Sequence, residues 1–246
     1  MMNFQGQKVV VSGASRGIGK AISLEFLEQG ATVIGVYAGN TAAAQSFISE
    51  CERFDGRLQL HQCNVADADQ VASFFNAVEK QFDYIDILIN NAGIRRDKLL
   101  ALMDQSSWQQ VIDINLTGTF NMCRGAVLLM LKKKYGRIIN ITSPVATLGF
   151  AGQTNYGASK AGQIGLTRSL SKETARKKIT VNCVSPGFID TELIDDLTPE
   201  QVKAYKKSVP MRRFGTVAEV ASAVLFLASK DAAYITGTVL DVNGGL

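Results

Sequence analysis

Apolar residues recur along this chain in two alternating rhythms. Short β-branched runs stand at "KVVVS" (Lys8–Ser12), "TVIGVY" (Thr32–Tyr37), "LQLHQ" (Leu58–Gln62) and "IDILIN" (Ile85–Asn90). Three more follow at "GRIINIT" (Gly136–Thr142), "ITVNCV" (Ile179–Val184) and "TVLDV" (Thr238–Val242). Between them, at Lys20–Glu28, Asp69–Gln81, Trp108–Lys133, Tyr156–Lys177 and Val217–Ser229, apolar positions fall three and four apart. That spacing puts an apolar stripe on one side of a helix. Strands in regular alternation with helices predict an α/β fold, a parallel sheet of about seven strands with helices on both faces. No linker or low-complexity tract interrupts it, so one domain is expected over residues 1–246. One connection is long: "FIDTELIDDLTPEQVKAYKKSVPMRRF" separates Pro186 from Thr216 without a strand. It reads as a substrate lid over about 188–214, or as a surface excursion carrying its own short helix.

Composition narrows the class. The 246 residues are 46% apolar with a net charge of +4, too modest for a chain that coats nucleic acid. Cys51, Cys63, Cys123 and Cys183 are scattered, without a CxxC pair or a nearby histidine at ligand spacing. Free thiols of a cytoplasmic protein are expected, and no metal site. The opening "MMNFQGQKVV" lacks the pattern of a signal peptide, and no apolar run approaches the roughly 20 residues that span a bilayer. His61, inside an apolar strand, and Trp108, at a helix start, read as structural. Asp195–Asp196 reads as a solvated loop feature.

The first strand runs directly into "SGASRGIGK" (Ser12–Lys20) and then a helix. Glycines there tighten the turn and let backbone amides approach a pyrophosphate at the helix N-terminus. The spacing Gly13, Gly17, Gly19 differs from GxGxxG, but a strand before it and a helix after it supply the context for dinucleotide binding. A Rossmann-type, doubly wound sheet follows. An acidic residue is expected at the end of the second strand to hold the ribose of NAD. Here Tyr37 is followed by Ala38, Gly39 and Asn40, which leaves room for a 2′-phosphate. Arg16 can supply the countercharge, so NADP(H) is expected rather than NAD(H).

In "NYGASKAG" (Asn155–Gly162), Tyr156 and Lys160 stand one helical turn apart, separated only by small residues. A free tyrosine titrates near 10 and is a poor acid at neutrality. An adjacent ammonium favours the phenolate, and positions i and i+4 share a helix face. Thr142–Ser143 and Asn90–Asn91 close two strands on the edge where such sheets bind ligands. Asn115, in "DINLTGTF", is a polar amide in a largely apolar segment.

Together, "SGASRGIG", "NNAG", Ile114–Asn115, Ser143, "YGASK" and "SPGFIDT" resemble the short-chain dehydrogenase/reductase family over essentially the whole chain. Within it, "NNAGIRRDKLLALM", "NYGASKAGQIGLTRSLSKE", "ITVNCVSPGFIDTEL" and "AAYITGTVLDVNGG" are most similar to bacterial 3-oxoacyl-[acyl-carrier-protein] reductases of type II fatty acid synthesis. The resemblance implies that Tyr156 protonates the substrate carbonyl, and that Lys160 lowers the tyrosine's pKa and binds the nicotinamide ribose. It implies that Ser143 polarises the carbonyl and that Asn115 holds a water in a proton relay. Gly13, Ser15, Arg16, Gly17, Ile18, Gly19 and Tyr37 would hold the cofactor's phosphate end, and Asn64–Val65 its adenine. Asn91, Ala92 and Gly93 would pack along it, and Pro186, Gly187, Ile189 and Thr191 would face the carboxamide. The resemblance further implies a homotetramer.

Two features depart from the family pattern. Pro144 follows Ser143 and restricts it to extended conformations. The sequence also stops at "VNGGL", short of the tail many relatives carry. For the substrate, an acyl carrier protein calls for basic residues around the site mouth. Lys132–Lys134 and Arg176–Lys178 are candidates, with Lys134 and Lys177 matching basic positions of carrier-dependent reductases. Both clusters end helices, where cations offset the macrodipole whatever the partner. Arg95, Arg96, Arg212 and Arg213 could bind a phosphopantetheine or coenzyme A phosphate. The alternatives are acetoacetyl-coenzyme A reduction, a ketoreductase of a specialised polyketide or polyene pathway, reduction of a sugar or other small alcohol, and a non-catalytic NADPH-binding subunit.

Overall fold

The computed structural model describes residues 3–191 and 198–246. Seven strands form one all-parallel sheet in the order β3-β2-β1-β4-β5-β6-β7. They are β1 (Lys8–Ser12), β2 (Thr32–Tyr37), β3 (Leu58–Gln62), β4 (Ile87–Asn90), β5 (Gly136–Ile141), β6 (Ile179–Pro186) and β7 (Val239–Val242). The helices are α1 (Gly17–Glu28), α2 (Thr41–Glu50), α3 (Ala68–Phe82), α4 (Gln105–Ile112), α5 (Gly118–Lys133), α6 (Val145–Leu148), α7 (Thr154–Thr174), α8 (Pro199–Ser208) and α9 (Val217–Ala228).

Strands β4, β5 and β6 are buried at every position because both sheet faces are covered. Val9 and Val11 of β1, Ile87 and Ile89 of β4 and Ile139 and Ile141 of β5 enter one core with Phe26 of α1, Phe47 of α2 and Val224 of α9. Val10 and Leu88, which lie between them, and Ile138, just before Ile139, enter the other with Phe74 and Phe75 of α3 and Met122 and Met130 of α5. Of helix α2, only Ala44 and Phe47 are buried, so its apolar signal is too sparse for the period-based reading to find. Its start is set by Asn40, whose side-chain oxygen accepts from Ala43 N at 3.0 Å.

The segment expected as one helix over Trp108–Lys133 is divided. A π-turn at Asp113–Thr117 separates α4 from α5, and Asn115 lies within it. Such bulges re-aim side chains inside a helix and recur at functional sites. The long connection after β6 does carry a helix, α8, opened by a Thr198/Gln201 capping box with Pro199 in its first turn. The Phe188 carbonyl and the Asp190 N–H bracket its base: Gly215 N donates to Phe188 O at 2.9 Å and Asp190 N to Gly215 O at 2.8 Å. Residues 192–197, including Asp195–Asp196 and part of the expected lid, lie outside the described residues.

Candidate active site

The chain runs from β1 outward through β2 and β3, then returns to place β4 on the other side of β1. Ligands bind such sheets at this reversal, beyond the carboxyl ends of the strands. Ser12 ends β1, and its hydroxyl accepts from Asn91 N at 3.0 Å and Ala92 N at 3.1 Å. Asn91 Nδ2 returns bonds of 3.1 Å to the Ser12 and Gly13 carbonyls. The glycine turn and the segment after β4 are thereby locked together.

Gly13 has φ +67°, and a Cβ on Gly19 would run into the Gly13 carbonyl and the Asn91 amide. Only glycines let α1 start this close to the strand end. Arg16 occupies the N-cap without a side-chain cap bond, which leaves the first turn of α1 suited to an anion. Tyr37 is half-buried at the end of β2, Arg16, Ala38 and Gly39 are exposed, and no carboxylate stands among Tyr37–Asn40. Ser15 is buried and Ile18 half-buried in the same turn. Asn64 is exposed, while Val65 is buried with its carbonyl accepting from Asn121 Nδ2 at 2.9 Å. Beyond β6, Gly187 N donates to Val242 O at 3.0 Å, and Ile189 bridges Gly215. A Cβ on Gly17 would lie 4.0 Å from Thr191 Cγ2, so this stretch reaches the glycine turn.

The four expected catalytic side chains converge between β4, β5 and α7. Ser143 follows β5, and Pro144 N-caps the single turn α6. The Ser143 hydroxyl accepts from Val145 N at 3.4 Å and faces the Tyr156 phenol. Lys160 is buried, its ammonium donating to the Ile141 carbonyl at 2.7 Å and lying 5.5 Å from the Tyr156 ring centre. A Cβ on Gly93 would sit 3.3 Å from Asn115 Oδ1 and 3.8 Å from Lys160 Nζ. Asn115 is fully buried: it accepts from Ile94 N at 2.8 Å and donates to Ile94 O at 3.0 Å and Ser159 Oγ at 3.1 Å.

Electrostatics here differ from the expected lowering of the tyrosine's pKa. Burial pushes the Tyr156 phenol above its ordinary value, opposed by the nearby Arg95 charge and by Ser143. Burial also lowers Lys160 to about 8. Loss of solvation penalises both charged forms and is the largest influence on each.

Several residues that the sequence reading left unassigned join the site. Asn155 donates to the Arg96 and Ser107 carbonyls at 3.0 and 3.2 Å. Gln153 Nε2 donates to Asp97 at 2.9 Å, and Asp97 pairs with Arg95. Gln163 contacts both Lys160 and Asn115. Its position three residues after Lys160, on the same helix face, was the available signal. His61 packs edge-on against Phe74 in β3, with burial lowering its pKa.

The basic clusters lie elsewhere. Lys134 and Lys177 immediately precede the paired starts of β5 and β6, the edge opposite Ser143. A six-residue strand, roughly 20 Å, separates them from it. Within one chain they stand at the edge away from the site mouth, because helix ends before a parallel strand lie at its amino edge. Lys132 is further taken up by Glu79 and Asp83 at 2.7 and 2.8 Å, and Lys133 by Asp86 at 2.8 Å.

Residues 13–246 match the family model described as Enoyl-(Acyl carrier protein) reductase. The chain is 46% identical to the 3-oxoacyl-[acyl-carrier-protein] reductase FabG of Vibrio harveyi, over 100% of this chain and 99% of that protein. It is 43% identical to nodulation protein G of Rhizobium sp. strain N33, with the same coverage. The FabG of Thermotoga maritima is 42% identical, again over 100% and 99%. The family description names enoyl reduction, whereas both FabG relatives are named for 3-oxoacyl reduction. The full-length relatives discriminate more finely than a model shared by a whole family.

Proposed function

Because this chain belongs to the short-chain dehydrogenase/reductase family, and is thus an oxidoreductase that takes a nicotinamide cofactor, we propose that it reduces the 3-oxo group of an acyl thioester. The thioester is carried on an acyl carrier protein in type II fatty acid synthesis, and NADPH is the reductant. The observation that carries this reading is the convergence of Ser143, Tyr156, Lys160 and Asn115 beside the glycine turn, at the carboxyl ends of β4 and β5.

The residues at the crevice fit a dinucleotide. The Gly13–Gly19 approach opens the uncapped first turn of α1 to a pyrophosphate. The lack of a carboxylate after Tyr37, with Arg16 exposed nearby, favours a 2′-phosphate and hence NADP(H). Tyr37, Asn64 and Val65 would flank the adenosine half, Asn91–Gly93 the middle, and Pro186, Gly187, Ile189 and Thr191 the nicotinamide.

When held by these residues, NADPH would supply a hydride, a proton with two electrons, for the carbonyl carbon. Ser143 donates to the carbonyl oxygen, and Tyr156 gives that oxygen a proton. A phenol held protonated by burial suits this direction of the reaction, since reduction needs the acid form. The phenolate left behind is stabilised by the Lys160 and Arg95 charges.

The aromatic group at the base of the excursion would border the acyl chain. Phe188 lies 4.7 Å from Tyr205 of α8 and 6.2 Å from both Phe150 and Phe214. We assign residues 188–214 as the lid of a single 1–246 domain on this ground. For the assembly, α5 leaves Phe120 50% and Leu128 63% exposed, two turns apart on one face. α7 turns the small residues Ala161 and Gly165 outward. These unpartnered faces support a homotetramer, and Lys134 and Lys177 would then meet a carrier only beside a neighbouring copy's site. No helix among the described residues is long and apolar enough to cross a membrane, in keeping with a cytoplasmic enzyme.

The deciding assay follows NADPH oxidation with acetoacetyl-carrier protein and acetoacetyl-coenzyme A in parallel, with NADH as control. Preference for the carrier thioester and NADPH is expected. Equal or better use of the coenzyme A thioester would move the protein to another pathway. Activity on neither would sink the substrate assignment.

A further inference from the structure

Gln163 is a glutamine with no exposed surface, on the α7 face that meets β5 and the π-turn. Its Oε1 accepts from the Lys160 ammonium at 3.2 Å. Its Nε2 donates to the Asn115 carbonyl and to Thr119 Oγ1, both at 2.8 Å. The reverse amide orientation would set an NH2 group against an ammonium, so the network itself fixes which end is which. Thr119 Oγ1 also donates to the Asn115 carbonyl at 2.7 Å. That carbonyl therefore has two protein donors, and the Asn115 side chain is satisfied by Ile94 and Ser159. A buried amide costs free energy unless fully bonded, whereas an apolar side chain would fill the same space without that cost. Gln163 meets the condition only because Lys160 and Asn115 stand at its two ends.

We propose that Gln163 is a positioning residue for Lys160: its carbonyl end holds the ammonium, and its amide end ties that lysine to the Asn115 turn. An amide orients and stabilises an ammonium but is a poor proton carrier. Lys160 thus acts as a fixed charge beside Tyr156, and Gln163 links it to the carbonyl of Asn115, the residue expected to hold a relay water. The titratable groups facing Lys160 are the Tyr156 phenol of α7 and the Cys183 thiol of β6. β5 contributes the Ile141 carbonyl and the π-turn the neutral Asn115, while Arg95 and Asp97 face the phenol from the loop after β4.

The catalytic consequence rests on the reductase reading, but the contact can be tested without turnover. The titration of Lys160 is followed by NMR in cofactor-free protein carrying 13C at lysine Cε, with Lys160→Met for assignment. Gln163→Glu, nearly isosteric, places a carboxylate against the ammonium and should raise the lysine pKa by about one unit or more. Gln163→Met removes an acceptor and should lower it by roughly half a unit. The alkaline limb of kcat for NADPH oxidation should move in the same two directions. A purely structural glutamine would produce no such opposition. A Lys160 titration unmoved by Gln163→Glu, or moved the same way by both variants, overturns the assignment. Gln163→Glu decides alone if the methionine variant does not fold. Wild-type protein that reduces no 3-oxoacyl thioester would instead overturn the reductase reading, leaving the lysine titration to judge Gln163.

Discussion

Asn155 donates its side-chain amide to the Arg96 carbonyl at 3.0 Å, tying the residue beside the Tyr156 phenol to the loop that follows β4. The same amide reaches the Ser107 carbonyl at 3.2 Å, and its oxygen accepts from Tyr156 N at 2.7 Å. One buried side chain therefore sets the start of α7 against two other segments. Replacing Asn155 by Ala leaves two carbonyls and an amide unpaired. A stability loss of about 1–3 kcal/mol is expected, read as a shift in urea midpoint. A fall in kcat larger than the change in KM for NADPH should accompany it, since what is lost is the placement of Tyr156.

Tyr156→Phe removes only the phenolic oxygen. Turnover should drop by roughly 10²–10⁴-fold, the usual worth of a positioned acid. NADPH binding, followed by nucleotide fluorescence, should persist. Substantial residual turnover would assign the proton to another donor.

Cofactor choice is expected to hinge on the end of β2. Ala38→Asp would set a carboxylate beside the 2′-phosphate and shift preference toward NADH by tenfold or more, an effect of about 1.4 kcal/mol. Arg16→Ala should weaken NADPH while sparing NADH. Steady-state kinetics with both nucleotides distinguish the two effects. Equal loss with both would mean that Arg16 supports the turn rather than the phosphate.

Alkaline pH should separate stability from activity. Burial raises Cys51 and Cys63 from 9.0 to about 11, Cys123 to about 12, and Cys183 in the same direction. Their folded-state values exceed the unfolded ones, so this contribution is fully present below pH 9 and is lost as pH rises toward 11–12. Lys160 works oppositely: depressed from 10.5 to about 8, it binds its proton less tightly folded than unfolded. Its contribution therefore grows between pH 8 and 10.5. Four thiols outweigh one lysine, so the urea midpoint of cofactor-free protein should fall between pH 9 and 11. Reduction should already decline above about pH 8, where the ammonium is lost. A rising midpoint over pH 9–11 would contradict the burial of the thiols.

The alternation of strand and helix, the glycine turn and the Tyr156–Lys160 pair were all legible in the linear chain. Each is local: period two against period 3.6, a turn that needs φ above zero, two side chains one helical turn apart. The reading failed where local pattern carried little. Helix α2 buries only Ala44 and Phe47, and the π-turn at Asn115 interrupts a segment whose composition looks continuously helical. The lysine clusters show a related limit. Their positive charge is plain in the sequence, but the partners of Lys133 and Lys132 come from Asp86, 47 residues away, and from Asp83, 49 residues away, and the sheet edge they occupy follows from strand direction. The direction of the Tyr156 shift likewise depends on how completely α7, β5 and the loop after β4 exclude water. Identity and spacing of the reactive groups belong to the chain itself; their solvation, partners and facing edge arise from contacts between residues far apart along it, which periodicity does not encode.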